Sequence, residues 1–301
     1  MSNEFSIVLP AYNTPADILR RAINSVLNQT YPHFELIIVD DGSEPSLEPI
    51  IKEYRDNRIV FIRHDKNRGA GAAHNTGIKA SKYDWVAFIC HDDEWLPNKL
   101  EKQSSEVIKH EIDEKLALIY SDIFFYDNNT LSEFNARYVF ECVTKNFHEA
   151  SLILAFFYTS TIIIRKDALI DVGMYDETGI LIDWDLYIKL SEKYNFYCIN
   201  EKLVNYYSSS LGITHPNNFN NNPLAGNDII KLYYKWKHDI FKYKKAKKIW
   251  CIRWNAIAQW YLQKNQKKEA FIAYMEAIKL NPYWRGNYID LIKYFILRKR
   301  L

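Results

Sequence analysis

The sequence lacks the features that anchor a chain in a membrane or cross-link it outside the cell. It has four cysteines, Cys90, Cys142, Cys198 and Cys251, and none of them forms a Cys-x-x-Cys motif. This scarcity and spacing favour core thiols in a reducing compartment and argue against both a disulfide framework and zinc ligands. The N-terminus carries no basic segment followed by an apolar one, so we expect no secretory signal. The uncharged, mainly apolar run at residues 150–164 is shorter than the roughly 20 residues of a spanning helix.

Acidic residues are scarce at the C-terminal end of the chain. Residues 231–301 contain 18 basic and four acidic side chains, whereas residues 1–230 contain 21 basic and 33 acidic ones. The net charge of +2 is therefore the sum of −12 and +14. A basic tail favours an anionic partner, either nucleic acid or an anionic membrane surface. The lysines at 242, 244, 245, 247 and 248 fit such a patch, and they fit a solvated helix face equally well.

Strand and helix patterns alternate over the first hundred residues, in a chain whose 48% hydrophobic content can supply a large core. Four short apolar runs predict buried strands at residues 5–9, 34–39, 59–62 and 85–89. Helical patterns separate them at residues 18–27, 47–54 and 69–79. This alternation predicts an α/β fold with a mostly parallel sheet that is flanked by helices on both faces.

The second half of the chain has a more mixed pattern. Strands are predicted at residues 118–125 and 160–164, and a helix is predicted from Asp183 to Leu190. The segment from Tyr206 to Pro223 is rich in Ser, Asn and Gly and is predicted to be a loop or hinge. Everything after it has a helical pattern, which we interpret as a small bundle or hairpin.

Polar residues follow each of the first four predicted strands. The four segments are Pro10–Asn13, Asp40–Ser43, His64–Asn67 and His91–Glu94. In an open α/β sheet, ligands bind beyond the carboxyl ends of the strands. We therefore expect a ligand site at this edge of the sheet.

Each candidate residue also has a purely structural interpretation. The adjacent carboxylates Asp92 and Asp93 fit a divalent-cation site, and they also fit a turn with a helix cap before Pro97. Asp40 can accept a hydrogen bond from a nucleotide, or it can close an Asx-type turn. Asp183 can be a general base with Trp184 facing a sugar ring, or it can cap a helix while Trp184 packs in the core.

The glycines at 69, 71 and 77 lie in a segment that leads from a loop into a helix. Such a segment lets the backbone approach a phosphate. Its spacing matches neither a P-loop nor G-x-G-x-x-G, which argues against a P-loop kinase and a dinucleotide oxidoreductase.

Taken in order, these segments resemble the family 2 inverting glycosyltransferases with the GT-A fold. The matching segments are Ser6–Asn13, Val39–Ser43, Asn67–Gly77, His91–Pro97, Gly173–Glu177 and Asp183–Leu186. They span roughly residues 5–215. Each segment alone is common, but six in register are specific to the family.

The resemblance implies a role for each matching position. Residues implied to bind the nucleotide sugar are Pro10, Ala11, Tyr12, Asn13, Asp40, Asn67, Gly69, His74 and Asp92. Asp93 would ligate Mn²⁺ or Mg²⁺ on the diphosphate. Apart from the resemblance, His215 in the predicted loop fits a further ligand to the metal or the diphosphate, and it also fits an exposed loop histidine with neither role. Asp183 would be the catalytic base.

The chain departs from the family pattern at three positions. Cys90 and Ile182 stand where many relatives have Asp and Glu, and His74 stands where Arg is frequent. The implied metal ligand Asp93 and the implied base Asp183 are both retained.

The resemblance implies a metal-dependent inverting glycosyltransferase of the hexosyl- or N-acetylhexosaminyl-transferase type. It would move a sugar from a nucleotide diphosphate sugar, UDP-sugar favoured, to a glycan or lipid-linked acceptor in surface polysaccharide or lipopolysaccharide assembly. We expect a GT-A catalytic domain at residues 1–222 and a basic helical region at 223–301.

We expect a cytoplasmic protein whose basic tail contacts the anionic inner face of the plasma membrane, and we no longer expect nucleic acid as a partner. Two alternatives remain. A nucleotidyltransferase is disfavoured because the N-terminal part lacks a Gly/Arg-rich triphosphate loop. A catalytically degenerate sugar-nucleotide-binding or scaffold protein would act through its helical tail.

Overall fold

A computed structural model gives the structure of residues 4–127, 130–134, 146–155, 157–179, 181–208 and 223–292. The chain divides into two compact units. The first comprises residues 1–151 and 155–225, and the second comprises residues 152–154 and 226–301. The assignment of catalysis to residues 1–222 stays a prediction.

The described residues of the first unit form a mixed sheet of nine strands. Its strands are β1 (Phe5–Ala11), β2 (Phe34–Asp40), β3 (Ile59–Arg63), β4 (Trp85–Phe88), β5 (Glu94–Trp95), β6 (Leu116–Asp127), β7 (Thr130–Phe134), β8 (Ile163–Arg165) and β9 (Asn195–Ser208). They lie in the order β3-β2-β1-β4-β8-β6-β9-β5, with β7 paired to β6. Strands β1 to β4 are parallel, as the alternation predicted. β8 is antiparallel to both β4 and β6, so the second half of the sheet is mixed.

Helices cover this sheet. Those before residue 200 are α1 (Ala16–Leu27), α2 (Glu48–Ile51), α3 (Ala70–Ala80), α4 (Lys99–Lys109), α5 (Phe147–Ile153), α6 (Lys166–Asp171) and α7 (Ile182–Lys193), with a 3-10 turn at Thr159–Thr161. α1 forms because Leu19, Ala22, Ile23 and Val26 share one face, and all four side chains are fully buried. β1 and β2 are buried along nearly their whole length, which their apolar sequences predicted.

The second unit is helical, which confirms the predicted helical C-terminal region. Its helices are α8 (Pro223–Ile240), α9 (Lys244–Gln263), α10 (Lys267–Leu280) and α11 (Gly286–Leu291). Tyr233, Trp250 and Trp254 are buried together in its core. The Glu276 carboxylate accepts hydrogen bonds from the Tyr233 hydroxyl at 3.0 Å and from Lys237 at 2.7 Å. No helix within the described ranges is both long enough and apolar enough to cross a bilayer.

The predicted loop at 206–223 is wrong at its start. Residues Tyr206 to Ser208 belong to β9, which pairs in parallel with β6 along most of its length. Pro223 begins α8, and residues 209–222, which make up the rest of the predicted loop or hinge, lie outside the described residues.

Candidate active site

Polar loops meet at the carboxyl edge of the parallel strands. Ala11 lies opposite Asp40 at the ends of β1 and β2. Past these ends, the backbone N–H of Asn13 donates to Ser43 Oγ at 2.9 Å, and Asn13 Oδ1 accepts from the N–H of Glu44 at 2.9 Å. Asn13 adopts a left-handed backbone conformation, with φ of 48°, to make this turn. The loops after β1 and β2 therefore form one connected surface.

The implied base-binding residues differ in their exposure. Pro10 and Ala11 end β1, and Ala11 is buried. The Tyr12 side chain is 45% exposed, which leaves its ring open for stacking. The Asp40 carboxylate is fully buried and accepts hydrogen bonds from Ser43 N at 2.9 Å and from the Arg63 guanidinium at 2.7 Å. The Asp40 carboxylate thus closes a turn through the N–H three residues on, and contact of Asp40 with a base stays a prediction.

Asp41 is a structural anchor that the sequence interpretation missed. Its carboxylate contacts His64 Nδ1 at 2.6 Å and accepts hydrogen bonds from the backbone N–H groups of Arg68 and Gly69 at 3.0 and 2.8 Å. His64 Nε2 in turn lies 2.9 Å from Thr76 Oγ1. The segment Asp40–Ser43 could have indicated this role, because the carboxylates of Asp40 and Asp41 come at the end of the same buried strand. Asp41 fixes the loop that leads into α3.

The loop that Asp41 anchors ends at the N-terminus of α3. Gly69 precedes the helix with φ of 91°, and no side chain caps the first turn. Asn67 Oδ1 accepts from the N–H of Gly69 at 3.0 Å and thus stabilises the same loop. The first N–H groups of a helix have no intrahelical partner and carry partial positive charge. The loop residues implied to bind a diphosphate therefore meet a helix N-terminus that suits one.

His74 lies on α3 with its ring buried against two aromatic side chains. The ring centroids of Tyr175 and Phe88 lie 4.6 and 5.7 Å away. Burial lowers the pKa of His74 to about 4, so its ring is neutral at physiological pH. Because Nδ1 faces the carbonyl oxygen of Ala70 at 2.8 Å, we assign the proton to Nδ1. Nε2 is buried without a hydrogen-bond partner among the described residues and remains an acceptor.

An acidic cluster with a thiol follows β4. One ligand atom from each of Cys90, Asp92 and Asp93 lies within 4.8 Å of the others. Asp93 is fully buried, and burial together with the neighbouring Asp92 charge raises its pKa to about 8. Burial raises the pKa of the Cys90 thiol well above its usual value. Burial thus disfavours the charged forms of Asp93 and Cys90, and a bound cation would stabilise those charged forms.

Asp93 is held by residues that no local motif indicated. The Ser160 hydroxyl donates to Asp93 Oδ2 and also accepts a hydrogen bond from the N–H of Cys90 at 2.9 Å. The backbone N–H of Tyr207 approaches Asp93 Oδ1 at 3.4 Å. The Arg21 guanidinium donates to the carbonyl oxygen of Asp92 and lies 3.9 Å from the centre of the Tyr207 ring. Ser160, Tyr207 and Arg21 thus position the acidic cluster.

Asp183 lies in the first turn of α7. Its Oδ1 accepts a hydrogen bond from the N–H of Trp184 at 2.8 Å. Burial raises the pKa of the Asp183 carboxyl. The Asp183 charge also contributes, after burial, to raising the pKa values of Tyr175, Tyr187 and the Cys90 thiol.

The two interpretations as helix caps are wrong. α4 begins at Lys99 after Asn98, so neither Asp92 nor Asp93 caps it. α7 begins at Ile182 after Leu181, so Asp183 lies inside the helix.

Trp184 does not face a sugar site. Its side chain is 9% exposed, and its indole N–H donates to the carbonyl oxygen of Ser151 at 2.6 Å. This confirms the interpretation of Trp184 as a core residue. His215, the further candidate metal ligand, lies outside the described residues.

Relatives were found for the sequence in archaea and bacteria. A glycosyltransferase of Methanocaldococcus jannaschii, described as uncharacterized, is 34% identical over 209 residues, which cover 67% of this chain and 69% of the relative. An uncharacterized glycosyltransferase of Rickettsia typhi is 31% identical over 204 residues, or 66% of this chain and 62% of the relative. The Escherichia coli protein WfgD, a UDP-Glc:alpha-D-GlcNAc-diphosphoundecaprenol beta-1,3-glucosyltransferase, is 35% identical over 126 residues, or 42% of this chain and 48% of WfgD.

The fold is shared with a solved structure. S. aureus TarS 1-349 in complex with UDP-GlcNAc superposes with a TM-score of 0.58 and 14% identity, over 94% of this chain and 93% of that chain. This likeness confirms the predicted GT-A fold with its helical C-terminal region. The sequence profile of Glycosyl transferase family 2 matches residues 6–173. With this match, which covers more than half of the chain, the protein belongs to glycosyl transferase family 2 and is a glycosyltransferase.

Proposed function

We propose that this protein is a metal-dependent inverting glycosyltransferase that uses a UDP-sugar and acts in surface glycan assembly. The observation that carries the proposal is the clustering of Asp92 and Asp93 just after β4, at the sheet edge where Asp41 anchors the loop that leads into α3. Two relatives support the substrate class by their names. WfgD uses UDP-Glc, and a Bacillus subtilis relative, TuaG, is a putative teichuronic acid biosynthesis glycosyltransferase.

The donor would bind along the connected loops of the sheet edge. Tyr12 would stack on the base, and Asn67 and Gly69 would approach the diphosphate at the start of α3. Asp92 would accept hydrogen bonds from hydroxyl groups of the ribose or the sugar. His74 would contribute a neutral acceptor rather than a positive charge.

The donor set at the acidic cluster fits a divalent cation. Asp92 and Asp93 supply carboxylate oxygens, which Mn²⁺ and Mg²⁺ prefer. Asp93 is buried with hydrogen-bond donors that only partly offset its charge. When bound there, the cation would offset the negative charge that develops on the leaving diphosphate.

Asp183 would act as the general base. Burial raises its pKa, which improves its strength as a proton acceptor. It would take the proton from the acceptor hydroxyl, whose oxygen then forms a bond to the anomeric carbon as the bond to the diphosphate breaks. Attack opposite the leaving group inverts the anomeric configuration, as in other single displacements at sugars.

An Asp183→Asn variant tests this assignment. We expect the rate of sugar transfer to fall by about 10²- to 10⁴-fold, because the amide cannot accept the proton. Binding of UDP, measured by calorimetry with Mn²⁺, should remain. Asp171→Asn, which removes an exposed carboxylate that pairs with Lys193, is the matched control and should retain activity. Equal transfer rates in Asp183→Asn and the wild type would contradict the base assignment. If the wild type transfers no sugar from any common sugar nucleotide, the result would contradict the proposed activity and favour a catalytically degenerate scaffold protein.

We also propose that the second unit contacts an anionic membrane surface, where a lipid-linked acceptor is held. Its helices expose apolar side chains among many lysines. The exposed apolar residues include Tyr234, Phe241, Ile252, Phe271, Ile272, Met275, Tyr283, Trp284, Tyr288, Ile289 and Ile292.

A further inference from the structure

The thiol of Cys90 lies inside the proposed cation site. Its sulfur belongs to the group of three ligand atoms, with one oxygen each from Asp92 and Asp93, that lie within 4.8 Å of one another. Cys198 and Cys251, the other thiols of the described ranges, belong to no such group. An ordinary buried thiol lies among apolar side chains and acts as a small hydrophobic group. The position of the Cys90 sulfur beside two carboxylates does not fit that role.

A turn brings the three side chains together. The backbone N–H of Asp93 donates to the carbonyl oxygen of Cys90 at 3.2 Å, which closes the chain from residue 90 to residue 93. The N–H of Cys90 donates to Ser160 Oγ, whose hydroxyl donates to Asp93 Oδ2. Ser160 thus fixes the first and last members of the cluster relative to each other. Cys90 is half-buried rather than sealed in the interior.

We propose that the Cys90 sulfur is a ligand to the divalent cation and shifts the preference of the site toward thiophilic cations. The proposal rests on the proposed function, because it assumes that Asp93 binds a cation. Thiolate sulfur is a soft ligand that suits Zn²⁺ and Co²⁺, whereas Mg²⁺ prefers oxygen ligands in octahedral geometry. A site with two carboxylates and one thiolate therefore favours Zn²⁺ and Co²⁺ over Mg²⁺ more strongly than an all-oxygen site.

Cobalt is the probe, since a sulfur ligand gives Co²⁺ an intense near-ultraviolet charge-transfer band that oxygen ligands do not give. The full-length protein is titrated with Co²⁺ in a thiol-free reducing buffer and observed by absorption spectroscopy. The variants are Cys90→Ser and Cys90→Asp, with Cys198→Ser as the matched control. We expect the band in the wild type and in Cys198→Ser, and its loss in both Cys90 variants.

Competition titrations measure the preference directly. We expect the ratio of Zn²⁺ affinity to Mg²⁺ affinity to fall by about tenfold or more in Cys90→Asp, which offers a third carboxylate. A wild-type protein that binds Co²⁺ without the band overturns the proposal, whether or not the variants fold. Equal Zn²⁺-to-Mg²⁺ affinity ratios in the wild type and both Cys90 variants also overturn it.

Asp93→Asn separates this proposal from the proposed function. If Asp93→Asn abolishes cation binding while the Cys90 variants behave as the wild type, the cation site stands and only the sulfur ligand is wrong. If Asp93→Asn binds Co²⁺ and Mn²⁺ as tightly as the wild type, the cation site itself is wrong, and the sulfur ligand falls with it.

Discussion

Three buried carboxylates at the edge of the sheet differ in what neutralises them. Asp40 pairs with the Arg63 guanidinium at 2.7 Å, and Asp41 lies 2.6 Å from His64 Nδ1. Asp93 is bound by the Ser160 hydroxyl and a backbone N–H, and it forms no ion pair with any described residue. Because burying an incompletely compensated charge costs free energy, Asp93 is stabilised least by the fold itself. A carboxylate that lowers the stability of the fold in this way is typical of a ligand-binding residue.

His74 should make the fold sensitive to acid. Its pKa is about 4 in the folded state, against 6.5 for the ordinary side chain. Between these values the unfolded chain binds a proton that the folded chain does not, so stability is present above about pH 6.5 and is lost as pH falls. The shift corresponds to at most about 3 kcal/mol of unfolding free energy. His74→Phe keeps an aromatic ring at this position, and its unfolding free energy should fall less than that of the wild type as the pH is lowered.

The measurement is the unfolding free energy by urea denaturation at several pH values from 7.5 to 4.5. Asp93 titrates in the opposite sense, because its pKa is raised in the folded state, so the difference between variant and wild type isolates His74. His33→Phe, at an exposed histidine, is the control and should follow the wild type. A His74→Phe profile parallel to that of the wild type would show that His74 does not supply the pH dependence.

The sequence predicted the acidic cluster but not its supports, and the reason is separation along the chain. Cys90, Asp92 and Asp93 follow one apolar strand, so their common location is a local property. Ser160 reaches Asp93 across 67 positions, and Tyr207 reaches it across 114. Those contacts depend on how β8 and β9 pair in the sheet, which no short motif encodes.

At the scale of elements, α3 joins the two halves of the site. Its start is held by Asp41 through the N–H of Gly69. Five and six residues after Gly69, His74 packs on Tyr175, and the Asn75 side chain exchanges hydrogen bonds of 2.9 and 3.0 Å with the Tyr175 backbone. A shift of α3 would therefore move Tyr175 together with the loop that is proposed to bind the diphosphate.

Gly71 permits this close packing of α3. A Cβ atom at this position would overlap the carbonyl oxygen of Asp176, which is backbone and cannot rotate away. Alanine in a helix interior gains up to about 1 kcal/mol over glycine, whereas overpacking costs about 1–3 kcal/mol. We expect the steric effect to prevail, so that Gly71→Ala lowers the midpoint of thermal unfolding and weakens UDP binding. A higher midpoint in Gly71→Ala would show that helix propensity outweighs the contact with Asp176.

The elements themselves were predictable where pairing is between neighbours in sequence. β1 to β4 alternate with helices, and their apolar runs identified each of them within two residues of its observed bounds. β9 was not predicted, because its sequence Asn195–Ser208 mixes Asn, Lys, Glu and Tyr with apolar residues. It is a strand because β6 and β5 lie on either side of it, a tertiary effect that overrides local pattern.

For the whole molecule, the uneven distribution of charge coincides with the division into two units. The first unit contains the sheet, the acidic cluster after β4 and most of the acidic excess. The second unit contains most of the basic excess. Few of the described basic side chains of the second unit form ion pairs in its core. Examples are Lys237 and Lys279, which pair with Glu276. Lys244, Lys245 and Lys248 are exposed in the first turns of α9. This excess on the surface suits an anionic partner, for which we proposed a membrane.

Reversing charges at the start of α9 tests that partner without unfolding the unit. A triple variant Lys244→Glu, Lys245→Glu and Lys248→Glu places acidic groups near a helix N-terminus, where they are favourable. Each lysine near an anionic surface contributes about 1 kcal/mol, so we expect binding to anionic vesicles in a sedimentation assay to weaken about a hundredfold or more.

Neutral vesicles, and the same reversal at Lys52, Lys79 and Lys115 of the first unit, are the controls. Because these control lysines are also exposed, an equal loss in the control variant would mean that net charge, and not the surface of the second unit, drives binding. Undiminished binding of the α9 variant to anionic vesicles would contradict the proposed membrane contact.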